Sequence, residues 1–127
     1  VVLIAIWLVF ARGPATPERL VLASAAALVA FIALGKVLSP QFLIWLLPVV
    51  PLLGGRRGLY ASGLLAASLV LTQLWFPYRY WDLALRFDEL ASWLVVTRDA
   101  VLLGLLTLLV AALRDRDPDR LAAGRAA

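Results

Sequence analysis

Apolar residues fill five runs, 1–11, 20–34, 42–53, 59–76 and 91–113, and polar or helix-breaking residues collect between them. The runs share no repeat of fixed period. Each has the length and hydropathy of all or part of a membrane helix, so length decides what each can do. The first run has 11 residues. As a helix it reaches about 16 Å, short of a hydrocarbon core of about 30 Å. Gly13, Pro14 and Pro17 make the next stretch a loop, and Thr16-Pro17-Glu18 suits a helix start with Thr at N-cap and Pro at N1. The second run, extended to Leu38, has 19 residues and spans, with Lys36 near its end. Its many alanines suit close helix packing in lipid.

The third run has 12 residues and contains Pro48 and Pro51. At about 18 Å as an α-helix it falls short, so it reads as a broken or kinked span borrowing from its flanks, or as a re-entrant segment. Residues 54–58, Gly-Gly-Arg-Arg-Gly, close it as a tight basic loop. The fourth run crosses, and Trp75 and Phe76 at its end look like an interfacial aromatic belt. In residues 77–90, Arg79, Asp82, Arg86 and Glu89 form one polar stripe at helical spacing, which reads as a short amphipathic helix on the membrane surface. Asp82 and Arg86 make a favourable i,i+4 pair there. The fifth run carries Arg98 and Asp99, so its span begins near Ser92 and the charged pair lies at or below headgroup level.

Composition sharpens this reading. The 127 residues are 64% hydrophobic and 16% charged, with mean hydropathy +0.95. A globule of this size cannot hide that much apolar surface. The fold class is therefore all-α, a polytopic transmembrane helix bundle over residues 1–113 with a charged tail at 114–127. Val1 opens directly on an apolar run, which reads as a piece of a longer protein cut inside a helix. Remaining N-terminal helices of that parent are then expected partners, beside the lipid bilayer. Cys and His are both missing, which removes thiolate nucleophiles, histidine bases and almost every transition-metal site. No cofactor is expected.

Arginine placement sets the orientation. Arg12, Arg19, Arg56, Arg57, Arg114, Arg116, Arg120 and Arg125 fall on one side; Lys36, Arg79, Arg86 and Arg98 fall on the other, balanced by Asp82, Asp88, Glu89 and Asp99. The first side, with the tail, is expected to be cytoplasmic. The net charge of +4 then reflects topology and headgroup contact, and nothing resembles a nucleic-acid footprint.

The outer side concentrates the candidate chemistry. Lys36 either snorkels to the interface or meets a phosphate held at the membrane surface. Ser39 and Gln41 flank Pro40 and serve either as turn residues or as hydrogen-bonding groups for the same ligand. Arg98 and Asp99 point about 100° apart on a helix, so they are not expected simply to neutralise each other. Arg98 then either snorkels, with Asp99 paired to another helix, or faces a polar cavity and binds an anion. Tyr78, Arg79, Tyr80 and Trp81 form an aromatic-basic cluster, which is an interface anchor or a platform for a sugar or a lipid phosphate. Neither a P-loop nor a Ser-His pair is present, and Asp115, Asp117 and Asp119 alternate with arginine as an ordinary charged end.

Residues 35–48 run Gly-Lys-Val-Leu-Ser-Pro-Gln-Phe-Leu-Ile-Trp-Leu-Leu-Pro. This stretch resembles the K-x-x-S-P-Q-[FY]-x-x-W-x-x-P pattern of GT-C-type membrane glycosyltransferases, in particular the bacterial polyprenyl-phosphomannose-dependent mannosyltransferases of family 87 type. A related Ser-Gln-aromatic plus Trp pattern occurs in the GPI mannosyltransferases. The 75–80 loop, Trp-Phe-Pro-Tyr-Arg-Tyr, and the charged start of the last span also look like the family. The resemblance covers the chain from the second run to the fifth, and its specificity lies in the Lys36–Trp45 block.

That resemblance implies a multi-pass enzyme of the bacterial plasma membrane. It would move mannose from a polyprenyl-phosphate donor to a lipid-linked or cell-envelope glycan on the outer face. The catalytic acid would lie in a first external loop upstream of these residues, so no catalytic residue is assigned. Lys36, Ser39 and Gln41 would help form the donor pocket, and Arg79, Tyr80 and Arg98 are further donor-binding candidates. The competing class is non-enzymatic: a transporter or flippase fragment, or a membrane scaffold. Transport predicts polar residues near the bilayer centre, whereas these candidates gather towards one face.

Overall fold

The computed structural model describes residues 1–35, 40–78, 80–86 and 89–115. Among them the regular structure is helical throughout. The helices are α1 (Val2–Ala11), α2 (Pro17–Leu34), α3 (Gly55–Trp75), α4 (Tyr80–Arg86) and α5 (Glu89–Asp115), with 3₁₀ segments at Pro40–Leu46 and Val50–Leu52. Three of them, α2, α3 and α5, are long and apolar enough to cross a membrane. The helical membrane bundle expected from the sequence is thus the architecture observed.

Two contacts establish the direction of each span. Arg19, in the first turn of α2, donates to the Leu113 carbonyl near the end of α5 at 3.2 Å. Arg57, in the first turn of α3, pairs with Asp115 at the end of α5 at 2.6 Å. Helices α2 and α3 therefore run in the same direction, and α5 runs against both. A chain that climbs in α2 must descend before it can climb again in α3.

The described part of that descent is residues 40–53. Seven residues at Pro40–Leu46 and three at Val50–Leu52 are wound as 3₁₀ helix. At about 2.0 Å per residue against about 1.5 Å in an α-helix, this winding lengthens the reach of the short apolar run. Pro48 and Pro51 remove two donors that an α-helix would need. Side chains three apart eclipse in a 3₁₀ helix. Leu43 and Leu46 accordingly share a buried face. Phe42 and Trp45 share a second, more exposed face, with ring centroids 4.9 Å apart, and Phe42 also meets Phe31 of α2 edge-on at 6.5 Å. The F-x-x-W-x-x-P spacing is thus the period of the helix type it adopts.

The long helices pack through a seam. Buried positions on α3 fall at 58, 61, 65, 68, 72 and 75, alternating steps of three and four, and α5 repeats the pattern at 98, 102, 105, 109 and 112. This is the heptad geometry of helices packed near-antiparallel. In lipid the outward faces are apolar too, so burial follows the seam and small residues set how closely the helices approach. Ala25, Ala26, Ala30 and Ala61 are all buried there, while Phe31, Leu59, Val70 and Leu103 face outwards.

Several boundaries differ from expectation. Helix α2 ends at Leu34 with Gly35 as C-cap; Lys36, Val37 and Leu38 lie outside the described residues. The basic stretch 54–58 is not a loop but the N-cap and first turn of α3. The reason is Gly58: a β-carbon on it would lie 1.6 Å from the Leu53 carbonyl oxygen, so only glycine lets the chain fold back this tightly. Helix α5 begins at Glu89 rather than near Ser92 and continues through Asp115, past the boundary expected at 113. The surface helix is shorter than the 77–90 stripe, with Pro77 and Tyr78 in a turn before it; the side chain of Asp82 is outside the description, so its pairing with Arg86 is too. Residues 116–127 of the tail also lie outside it.

Gly58→Ala should lower the unfolding midpoint in detergent strongly, since the clash is with backbone. Gly63→Ala meets open space within its helix and should be neutral or stabilising by up to about 1 kcal/mol. Circular dichroism melts of the two variants side by side check the contrast.

Candidate functional site

Among the described residues four buried polar or charged side chains stand in the bundle, Arg19, Ser68, Thr72 and Arg98. Two of them explain themselves. The Ser68 hydroxyl donates to the Leu64 carbonyl at 3.0 Å and the Thr72 hydroxyl to the Ser68 carbonyl at 2.7 Å, each four residues back along α3. The two arginines mark opposite ends of the bundle.

Arg98 is 1% exposed. Its Nε and Nη2 both donate to Asp99 Oδ1, at 3.0 and 2.8 Å. The two residues therefore do pair, against the expectation from helical geometry. The arginine stem is long enough to turn the guanidinium back round the helix, and burial rewards the contact that 100° of separation disfavours. On its other side the guanidinium lies 5.7 Å from the centre of the Trp75 ring, a cation–π contact across the α3–α5 seam. Trp75 is thus an interior residue, 4% exposed, rather than an outward-facing belt residue, and its indole Nε1 is buried without an acceptor.

Trp75 begins an aromatic ladder out of the bundle. It meets Phe76 at 5.8 Å, Phe76 meets Tyr80 at 6.0 Å, and Tyr80 meets Trp81 at 5.3 Å, each edge-to-face. Such pairs are worth about 0.5–1.5 kcal/mol beyond the area they bury. They seat α4 against the corner between α3 and α5 and leave Trp81, Leu85 and Arg86 exposed. Exposed apolar and basic groups on a short helix at the end of a bundle are the arrangement of a surface-lying helix.

Of the candidates expected from sequence, Gln41, Tyr80 and Arg98 are described, and the antiparallel paths bring all three to this same end. Gln41 is exposed at the start of the 3₁₀ descent, Tyr80 is exposed at the start of α4, and Arg98 is buried between α5 and α3. Lys36, Ser39 and Arg79 lie outside the described residues. Among the described residues no cluster of acids has the makings of a metal site.

At the opposite end, Arg19 is a buried residue that sequence reasoning placed in a loop. It is 2% exposed and, among the described residues, has no carboxylate partner. Instead Nη1 donates to the Leu113 carbonyl at 3.2 Å, and Nη2 to those of Val9 and Phe10 at 3.0 and 3.1 Å. These carbonyls lie at the C-terminal ends of α5 and α1, where the helix dipole is negative, and that of Phe10 also accepts from Gly13 N at 3.2 Å. The sequence signal was local disagreement: a cation in the first turn of α2 opposes that helix's own dipole. Gly13 completes the arrangement, because a β-carbon there would lie 2.3 Å from the guanidinium carbon. Arg19 is therefore structural, while Arg12, Arg56, Arg57 and Arg114 are exposed around the same end beside Glu18 and Asp115.

No protein-family model, curated protein or solved structure matches this chain.

Asp99→Asn should lower thermal stability by more than Arg57→Gln. The first change leaves a guanidinium 2% exposed without its counter-charge, whereas the second breaks a pair whose side chains are 52% and 50% exposed. Half-exposed pairs contribute about 0.2–1 kcal/mol; stranding a buried charge costs about 3 kcal/mol or more. Equal midpoints for the two variants would contradict this ranking. Gly13→Ala should also destabilise, by about 1–3 kcal/mol, through displacement of Arg19.

Proposed function

We propose that this chain is the membrane-embedded C-terminal part of a polyprenyl-phosphate-sugar-dependent glycosyltransferase. The observation that carries the reading is the gathering of Gln41, Tyr80 and Arg98 at one end of the bundle, where the Lys36–Trp45 pattern begins its descent. A polyprenyl-phosphate sugar presents an anionic phosphodiester just above an apolar tail. The proposed donor site meets it with Gln41 and the Tyr80 platform, together with their sequence neighbours Lys36, Ser39 and Arg79. Arg98, paired with Asp99, ties α5 to α3 beneath the site. Negative charge developing on the departing lipid phosphate is what such a cation set stabilises. Inversion at the anomeric carbon needs one base, which this reading assigns to a residue outside this chain.

Orientation enters the proposal through charge. The Arg19 end carries five described arginines, Arg12, Arg19, Arg56, Arg57 and Arg114, against Glu18 and Asp115. By the positive-inside rule this end faces the cytoplasm of a bacterial plasma membrane, which puts the candidate donor end outside. The acceptor is then a lipid-linked or cell-envelope glycan, and the sugar is mannose.

Membranes carrying the full parent protein and radiolabelled polyprenyl-phosphomannose test this. Lys36→Ala and Gln41→Ala should each cut mannose transfer by about 10²-fold with insertion unchanged, the magnitude of a lost charge-stabilising donor. Arg56→Ala, at the other end, should leave transfer near normal. Normal activity in both Lys36→Ala and Gln41→Ala would refute the donor pocket. Failure of the inserted wild type to use any lipid-phosphate sugar would put the transporter or scaffold reading ahead.

A further inference from the structure

A cleft of about 240 Å³ opens between α2, α3, α5 and the end of the 3₁₀ descent, at the end opposite the proposed donor site. Val21, Leu22, Leu53, Leu109 and Ala112 line its interior, and Glu18 and Arg57 stand among its walls as the charged groups. We propose that this cleft holds one acyl chain of an anionic phospholipid whose phosphate is met by Arg57 and Arg56.

Apart from Glu18 and Arg57 the lining is apolar, and an alkyl chain is the apolar body that a bilayer supplies to such a slot. Depth agrees. Leu109 lies six residues before Asp115, which is about 9 Å below the end of α5. The cleft thus occupies the level of the first acyl carbons when the helix ends sit at the headgroups.

Charge supplies the headgroup. Arg12, Arg56, Arg57 and Arg114 are exposed around this end, opposed by Glu18 and Asp115. Arg19 takes no part, being engaged by three carbonyls. Arg57 is held by Asp115 in a half-exposed pair, which is weak enough to exchange for a phosphate that accepts from the same planar fork. The rim is therefore cationic over an apolar slot, the complement of an anionic lipid. The inference stands apart from the glycosyltransferase reading, since it uses other residues at the other end.

The test is lipid retention by the purified protein in detergent, offered dioleoyl phosphatidylglycerol or dioleoyl phosphatidylcholine and read by native mass spectrometry. The wild type should retain one phosphatidylglycerol in about tenfold preference. Arg57→Gln should lower that retention about fivefold, the effect of one arginine at an anionic membrane surface. Glu18→Gln removes the opposing carboxylate and should raise retention, a gain that misfolding does not produce. Ala112→Phe fills the slot and should abolish it, with helical content checked by circular dichroism. Equal retention of the two lipids by the wild type would overturn the proposal. So would a phosphatidylglycerol preference that neither Arg57→Gln nor Glu18→Gln moves.

Discussion

One guanidinium ties three helices together. Arg19 rises from the first turn of α2 and donates to carbonyls at the C-terminal ends of α1 and α5. Those carbonyls lie in the last turns of their helices, where backbone donors run out, and an unpaired peptide group near lipid is costly. A buried cation without a carboxylate is equally unfavourable alone. Each problem solves the other, and the contact sets where α1 ends, where α5 ends and how α2 begins between them. The antiparallel relation of α2 and α5 depends on it, and so does the need for a descending segment between α2 and α3.

The two buried arginines solve the same problem by different means. Arg19 shares its charge among backbone dipoles and leaves Nε buried without an acceptor. Arg98 is met by its own neighbour and by an aromatic face. The first arrangement closes on itself and serves the fold. The second sits beside an unsatisfied indole N–H and an aromatic ladder that leads to exposed groups, which is why the functional reading rests at that end.

Between the ends, the bundle is held by shape more than by a hydrophobic drive. Lipid is as apolar as leucine, so the seam alanines and the period of the 3₁₀ segment do the sorting that water does for a soluble protein. The descent is the clearest case. Leu43 and Leu46 face the bundle three residues apart while the Phe42 and Trp45 rings meet on a second face. The 3₁₀ winding lengthens a segment that would be short as an α-helix.

Much of this was legible in the residues themselves. Run lengths and punctuation identify the spans, Thr16-Pro17 marks a helix start whose hydroxyl accepts from Arg19 N at 3.3 Å, and arginine spacing assigns the ends. Those features depend on chain-local chemistry: proline geometry, capping, and the length needed to cross a bilayer. The tertiary structure alone decided that Arg19 is interior, that Arg98 turns back to Asp99 beneath Trp75, and that residues 54–58 begin a helix. Each of these depends on a group brought in from elsewhere: the ends of α1 and α5, the face of α3, the carbonyl of Leu53. In a chain apolar on every side, the 3.5-residue seam hides among residues equally fit to face lipid. Which face turns inwards is settled only when the partner helix supplies the contacts.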